Sequence, residues 1–235
     1  MREPGGEAAR AVSRRRGRWQ AGAVRRRGTA GAVLAGAALL LGGCVAEEAG
    51  PAAIGVGGVA EGTTASVSAA GTLDVSYQRQ GDFAVVVGLD CSACTGPVTV
   101  SAPGRSTPVG EAAAGTESAW LLETVAADPV DQSLLVQADG PWTLTLRSWN
   151  DLPEVSGEQS GSGSAVLAFS DDVERLDVAY GPASSDDSLS GRVLGTAGTR
   201  QTFGDTTAFA RVVDATLPGV VALRTDGAWT LTPLP

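Results

Sequence analysis

The stretch Asp139-Gly140-Pro141-Trp142-Thr143-Leu144-Thr145 returns 87 residues later as Asp226-Gly227-Ala228-Trp229-Thr230-Leu231-Thr232. Such self-similarity at a fixed offset predicts two copies of one module, each about 75–80 residues long. Trp and Leu alternate with Thr in both copies, so Trp142 and Trp229 each share one face of a strand with the Leu that follows. An Asp-Gly pair between two apolar runs is typical of a β-hairpin turn.

Short runs rich in Val, Leu, Thr and Trp recur on both sides of these stretches, each bounded by Gly, Pro, Asp or Ser. Such runs predict the strands of antiparallel sandwiches, so we expect an all-β fold of two tandem small β-sandwich modules. We also match segment 84–90 with 165–171, and segment 98–104 with 176–182, as equivalent parts of the two copies. The predicted strands are 72–78, 83–89, 97–102, 119–125, 133–138, 142–149, 165–170, 174–180, 189–194, 207–214, 220–225 and 229–232.

The charges are distributed unevenly along the 235 residues. Nine of the 17 Arg and two of the 26 acidic residues lie in 1–43, which leaves eight Arg against 24 acidic residues in the rest of the chain. A body this acidic repels phosphate backbones, which argues against nucleic-acid binding. The chain contains neither His nor Lys, so a Ser-His or Cys-His nucleophile pair, a His-ligated metal and a Schiff-base Lys are excluded. We therefore expect no catalytic residue, no metal site, no cofactor and no enzyme activity.

Three arginines at 25–27 precede an uncharged run of small and apolar residues over 28–43. This arrangement is typical of a secretory signal peptide, which we expect to be helical. The run is shorter than the ~20 residues that a helix needs to cross a bilayer, which disfavours a permanent transmembrane helix. The three arginines leave the twin-arginine export route open beside general secretion, although no bulky apolar residue follows them. The long basic region also leaves open a translation start downstream of Met1.

Leu41-Gly42-Gly43-Cys44 resembles the lipobox of bacterial lipoproteins, in which Leu stands three residues before the Cys that is lipidated. The resemblance implies that the Cys44 thiol receives a diacylglyceryl group and that cleavage makes Cys44 the mature N-terminus. Two or three acyl chains hold a protein firmly on a membrane. The resemblance thus implies a body anchored at the outer face of the cell membrane. A plain secretory signal with an incidental Cys is the alternative.

With Cys44 assigned to lipid, the other two cysteines, Cys91 and Cys94, form an even pair. Outside the cytoplasm such a pair most simply forms a disulfide. A redox-active CxxC needs its first Cys at a helix N-terminus, whereas this pair lies between two predicted strands. We therefore interpret the Cys91–Cys94 pair as a structural staple.

Two functional interpretations compete with structural ones. Trp142 and Trp229 could stack on sugars, but a module with so few large side chains more simply uses them as core residues. The acidic pairs could serve glycoside hydrolysis or Ca²⁺ binding. We interpret these pairs as solvated loop residues instead; they are Asp171-Asp172, Asp186-Asp187, Asp128 with Asp131, and Asp205 with Asp214.

The repeated tail and the Gly-Ser-Gly before Ala165 resemble a recurring module of exported bacterial proteins that has no assigned activity. The resemblance covers about residues 82–232, but this chain has Val178-Ala179-Tyr180-Gly181 where that module often has a His-containing segment. The abundance of Ala, Gly, Val and Arg without Lys suggests a GC-rich, actinobacterial genome.

Together these observations predict five parts: a signal peptide over 1–43, a lipidated Cys with a flexible tether over 44–70, a first module over 71–150, a linker over 151–163 and a second module over 164–235. Asp139, Gly140, Trp142, Asp226, Gly227 and Trp229 are predicted to be structural. We expect a non-enzymatic interaction or accessory lipoprotein of the cell envelope, held to the membrane through Cys44, with a protein or glycan partner. A carbohydrate- or small-ligand-binding lipoprotein is the alternative.

Overall fold

The runs of Val, Leu, Thr and Trp form strands along the whole described part of the chain. The computed structural model describes residues 51–124, 128–196, 198 and 200–235, which contain 18 strands and one turn of 3₁₀ helix at Trp149–Asp151. This confirms the predicted all-β class with antiparallel sheets in sandwich-like modules. The predicted signal helix lies outside these residues. Within them there is no apolar helix of a length that would cross a bilayer.

The first module is a sandwich of two sheets. One sheet has the order β1-β3-β8-β5-β6 and the other has the order β2-β9-β4-β7. Their facing sides share one apolar core that contains Tyr77, Trp120 and Trp142. The strands are β1 Ala52–Val59, β2 Ala65–Ala70, β3 Leu73–Arg79, β4 Val85–Asp90, β5 Val98–Ser101, β6 Gly110–Ala112, β7 Glu117–Leu122, β8 Asp131–Gln137 and β9 Pro141–Ser148.

The second module repeats this arrangement. Its sheets have the orders β10-β12-β17-β14-β15 and β11-β18-β13-β16, and its own core contains Phe169, Tyr180 and Trp229. The strands are β10 Glu154–Val155, β11 Gln159–Ser162, β12 Ala165–Phe169, β13 Arg175–Gly181, β14 Leu189–Gly195, β15 Arg200–Asp205, β16 Phe209–Asp214, β17 Gly219–Arg224 and β18 Ala228–Leu234.

Each strand of the first module has a counterpart nine strands later, in the same place in its sheet. Even the parallel pairs recur, since β1 runs parallel to β3 and β10 runs parallel to β12. This order corrects the predicted match of the upstream segments. Segment 84–90 forms β4, whose counterpart is β13 and not β12, and segment 98–104 begins with β5, whose counterpart is β14 and not β13. Short strands of Val, Leu and Ala resemble one another, so sequence alone placed the match one strand out of step.

The predicted flexible tether over 44–70 is wrong for its described part. Ala52–Val59 and Ala65–Ala70 are β1 and β2, which pair with β3 and β9. Small residues such as Ala, Gly and Ser are poor strand formers alone, but a partner strand supplies the pairing that orders them. The predicted linker over 151–163 likewise contains β10 and β11, which belong to the second module.

The Asp-Gly turns do not close hairpins, contrary to the prediction. Asp139-Gly140 lies between β8 and β9, which belong to opposite sheets, and Asp226-Gly227 lies between β17 and β18 in the same way. Each turn therefore arches from one layer of a sandwich to the other. A turn motif shows where the chain reverses, but it does not show whether the next strand stays in the same sheet.

A third apolar cluster joins the two modules. Val86 and Leu121 on the outer face of the first module pack with Val166 and Ala222 on the outer face of the second, and Trp149 packs at the edge of this cluster. The described residues belong to one compact unit. The two modules are therefore held side by side through buried contacts.

Candidate functional site

The predicted site residues fall into two groups. Cys44 and the lipobox residues Leu41, Gly42 and Gly43 lie outside the described residues. The others lie at the ends of the two sandwiches where the layers are joined.

The two repeated tryptophans make the same contact in their modules. The Trp142 side chain is buried, and its indole N–H donates to the carbonyl of Gly71 at 2.9 Å. Trp229 is also buried and donates to the carbonyl of Gly163 at 2.9 Å. Both therefore lie where the core interpretation places them, and their polar edge is satisfied inside the module.

Gly71 and Gly163 complete a closed arrangement with the Asp-Gly turns. The N–H of Gly71 donates to the carbonyl of Gly140 at 3.2 Å, and the N–H of Gly163 donates to the carbonyl of Gly227 at 3.0 Å. Both Gly71 and Gly163 have a positive φ, of 73° and 77°, which favours glycine. These two glycines were not predicted from the sequence. Their signal is that each stands just before the third strand of its module.

The disulfide predicted between Cys91 and Cys94 is present, in the loop between β4 and β5. This loop is bound to the Asp-Gly turn of its own module, since the N–H of Thr95 donates to the carbonyl of Asp139 at 2.8 Å. The two segments are in close contact, because a Cβ at Gly140 would lie 3.1 Å from the carbonyl oxygen of Ala93. The disulfide therefore shapes a loop that supports the predicted motif.

The equivalent loop of the second module, between β13 and β14, contains a buried carboxylate instead. Asp187 accepts hydrogen bonds from the N–H groups of Ala183 at 2.9 Å, Ser188 at 2.8 Å and Asp226 at 3.1 Å, and from the hydroxyl of Thr225 at 3.1 Å. Burial alone would raise the pKa of Asp187, but these hydrogen bonds outweigh burial and lower it. Asp187 is thus a buried, ionised acceptor that binds its loop to the Asp-Gly turn.

The pKa values of two neighbours of Asp187 shift in the opposite direction. Burial raises the pKa of Asp226, and the negative charge of Asp187 raises it further. Burial also raises the pKa of Tyr180. The Tyr180 hydroxyl is buried and has no partner at hydrogen-bond geometry among the described residues. This end of the second module is therefore an electrostatically coupled group of side chains.

A cleft of about 430 Å³ opens where the two modules meet. Its walls include Trp120 and Glu111 of the first module and Ser188, Arg224 and Asp226 of the second. Trp120 is only 1% exposed, so its ring forms part of the floor and is not an open stacking platform. The cleft therefore offers small polar and charged groups at its rim.

Charged side chains from both modules bind across the junction. Glu123 of the first module pairs with Arg192 and Arg200 of the second. The Arg224 guanidinium donates to the carbonyl of Val109 at 2.6 Å, and burial lowers its pKa. These groups hold the modules together, and none of them was predicted from the sequence.

The backbone also contributes to the junction. The N–H of Ala119, in β7, donates to the carbonyl of Ser164 at 2.9 Å. One edge strand of the first module is thereby linked to the segment that precedes β12 of the second.

The other predicted acidic pairs lie away from this junction. At least one carboxylate of each pair accepts hydrogen bonds from groups in its own module. Asp171 accepts from the N–H of Gly157 at 3.2 Å, and Asp131 accepts from the side chain of Gln78 at 3.0 Å. Hydrogen bonds from the Thr206 and Thr207 N–H groups lower the pKa of Asp205. Over the part of the chain that the structure describes, no cluster of three or more Asp, Glu, Cys or His side chains has a geometry suited to a metal.

Comparison with known proteins gives no family. The chain matches no protein-family model and no curated protein. Among solved structures it is similar to part of a GH2 beta-galacturonidase from Eisenbergiella tayi, crystallised with galacturonate, at 11% sequence identity and a TM-score of 0.25. The match covers 72% of this chain and 35% of that enzyme. At this TM-score the likeness carries no functional argument.

Proposed function

We propose that the protein is a lipid-anchored component of the bacterial cell envelope, attached through Cys44, whose two-module body serves a non-enzymatic interaction or accessory role outside the membrane. The observation that carries this proposal is the Cys91–Cys94 disulfide. It is typical of an oxidising compartment, and it leaves Cys44, directly after Leu41-Gly42-Gly43, as the one remaining thiol of the chain.

The contacts of the charged side chains in the two modules support the proposal of a non-enzymatic role. Glu123, Arg192 and Arg224 bind the modules to each other, and Asp187 binds a loop to a turn. Each therefore has a structural role in the folded state. A body of this kind is suited to presenting surfaces to another component of the envelope.

The anchor is tested by expressing the full chain and its Cys44→Ala variant in a bacterial host that processes lipoproteins. We expect the wild-type protein in the membrane fraction, with a mass that includes acyl chains on an N-terminal Cys44. The variant should lack that mass and leave the membrane. The conservative variant Leu41→Val, which leaves the thiol in place, is the control for processing. An unmodified Cys44 thiol in the wild-type product would contradict the proposal.

A second candidate is the binding of a small polar ligand, and the junction cleft favours it. Glu111 and Asp226 at the rim favour a ligand with hydroxyl or amino groups. The four described tryptophans give a sugar-stacking role no support, because Trp120, Trp142 and Trp229 are buried and Trp149 is only partly exposed. Titration of the soluble body with amino sugars and polyols, followed by calorimetry, tests this candidate. No heat, or equal heat with Asp226→Asn and Glu111→Gln, would contradict it.

A further inference from the structure

The first four residues of strand β1 pack little on their own module. The strand pairs with β3 at one edge of its sheet, and no described strand pairs with its other edge. All four residues of 52–55 are exposed, and Ile54 is 41% exposed. Its counterpart in the second module, β10, has only two residues. The first module thus carries an edge strand whose first four residues face solvent, while Val59 at its other end is buried in the core.

This edge has few of the features with which proteins protect open strands. Exposed edges commonly carry charged residues or Pro, which oppose pairing with another chain. Strand β1 contains neither, and Glu61 is the one charged residue between Glu48 and Asp74. Glu61 accepts a hydrogen bond from the side chain of Asn150 at 2.7 Å. By contrast, the edge strand β16 of the second module carries Arg211 and Asp214.

The bulge in β1 leaves a usable pairing segment. The register with β3 is regular over Ala52–Gly55 and shifts between Gly55 and Gly58, where Gly57 has a φ of 87°. The four residues before the bulge therefore form a straight, uncharged edge. Fixing a residue in one backbone conformation costs about 1–2 kcal/mol. Hydrogen bonds to β3 alone offset only part of that cost. A second strand on the open edge of β1 would add further hydrogen bonds.

The proposed anchor restricts what can reach this edge. Seven residues separate Cys44 from Ala52, and a fully extended chain of that length spans at most ~25 Å. Every anchored copy therefore holds β1 close to the same membrane surface. Two copies repel each other elsewhere, because residues 51–235 carry 22 acidic residues against eight Arg. Strand β1 itself adds no charge to that repulsion.

We propose that β1 pairs with β1 of a second copy, so that the two five-stranded sheets join edge to edge in a two-fold symmetric dimer on the membrane. This inference rests on the proposed anchor. A two-fold axis through the pair makes the two strands antiparallel. Residues 52–55 are uncharged and, apart from Ile54, carry no large side chain, so they can lie beside their equivalents. Confinement to a surface raises the effective concentration of the partners and favours pairing.

Cross-linking of the purified lipidated protein tests the dimer. Its mass is first measured to verify the lipid on Cys44, and it is then inserted into vesicles of neutral and anionic phospholipid. Ile54→Cys is treated with a bismaleimide with a spacer of about 10 Å, sized for facing strands. Val212→Cys is the matched control, because Val212 is similarly exposed, at 50%, on the edge strand β16. We expect a cross-linked dimer with Ile54→Cys and about tenfold less with Val212→Cys.

A second variant separates pairing from chance collision. Gly55→Lys, added to Ile54→Cys, places a charge on each edge and should lower the dimer yield about fivefold. Gly55 is exposed, so circular dichroism and the melting temperature should stay unchanged. A verified lipidated preparation with equal yields at both positions, or without a Lys effect, would overturn β1 pairing and leave the anchor intact. The dimer would also be overturned if, in whole membranes, Ile54→Cys formed cross-links only to other proteins. An unlipidated Cys44 would overturn the anchor itself.

Discussion

The loop between the fourth and fifth strands is built differently in the two modules, although the strand order around it is the same. In the first module the Cys91–Cys94 disulfide closes this loop, and Thr95 binds it to Asp139. In the second module the Asp187 carboxylate gathers donors from both sides of the loop and from Asp226. Both modules thus bind this loop to the Asp-Gly turn, one with a disulfide-closed loop and the other with a buried carboxylate.

The outer faces of the modules differ in a related way. The pairing registers place Val86 and Leu121 of the first module at the positions of Arg175 and Asp214 of the second. The first pair is buried in the junction, whereas the second pair faces solvent. The same scaffold position is thus apolar where the two modules pack together and charged where it faces solvent in the described residues.

The largest expected effect comes from the two repeated tryptophans. Trp142→Ala and Trp229→Ala should each lower the free energy of unfolding by ~3–5 kcal/mol, because each removes a buried ring and leaves a glycine carbonyl without its donor. Urea unfolding measures both. Equal losses would show that the two motifs are energetically equivalent. The controls Trp142→Phe and Trp229→Phe keep most of the ring and should cost less. A change near zero in either Ala variant would contradict the core assignment.

Asp187→Ala should have the next largest effect, with a loss of about 3 kcal/mol. The substitution leaves the buried Thr225 hydroxyl and the partly buried N–H groups of Ala183 and Asp226 without their acceptor. The neighbouring exposed residue supplies the control, since Asp186→Ala should change stability by less than about 0.5 kcal/mol. Calorimetry of both variants distinguishes them. Similar melting temperatures for the two would mean that the carboxylate does not hold the loop.

Removal of the disulfide should cost less than removal of the carboxylate, even though the disulfide is covalent. Cys91 and Cys94 are three residues apart, and closing so short a ring removes only about 2 kcal/mol of chain entropy from the unfolded state. The variant Cys91→Ala/Cys94→Ala should lose that amount. A reducing agent should lower the melting temperature of the wild-type protein and leave that of the variant unchanged. A loss as large as that of Trp142→Ala would mean that the disulfide stabilises its module more than the Asp187 carboxylate stabilises the other.

Local patterns in the sequence predict much of this fold. Each of the 12 predicted strands overlaps an observed strand, and the alternation of Trp142, Leu144 and Leu146 with Thr correctly predicts their buried face. What escaped prediction depends on distant partners. Strands β1 and β2 are ordered by β3 and β9, and the arches between layers depend on where the next strand pairs.

The candidate site was less predictable than the fold. Asp187 is one of two adjacent acidic residues in a polar loop, and nothing nearby in the sequence marks it as buried. Its donors Thr225 and Asp226 lie almost 40 residues away. Glu123 and its Arg partners at the junction are separated by a similar or greater distance. The composition of a loop does not reveal such contacts, because they form only when two sheets, or two modules, are packed together.

The smallest expected effect is the pH dependence that separates the two loops. The pKa of Asp187 is lower in the folded chain than its ordinary value of 3.8, so its ionised form stabilises the second module at neutral pH. That contribution is lost as the pH falls below about 4, through the folded-state pKa. In Asp187→Asn the free energy of unfolding, measured with urea, should therefore fall less steeply as the pH drops below about 4. An equally steep fall in the variant would contradict the assignment.

Asp226 should act in the opposite sense, which sharpens the same measurement. Its pKa is raised by burial and by Asp187, so its ionisation opposes folding at neutral pH, and protonation relieves that opposition as the pH falls. Asp226→Asn should thus stabilise the protein at pH 7 and make the acid loss due to Asp187 steeper. The first module offers the contrast, because Cys91 and Cys94 do not titrate once bonded. Stability should fall more steeply at acid pH in Asp226→Asn, and this steeper fall should disappear when Asp187→Asn is added. That result would assign the loss of stability in acid to the loop between β13 and β14 that Asp187 holds.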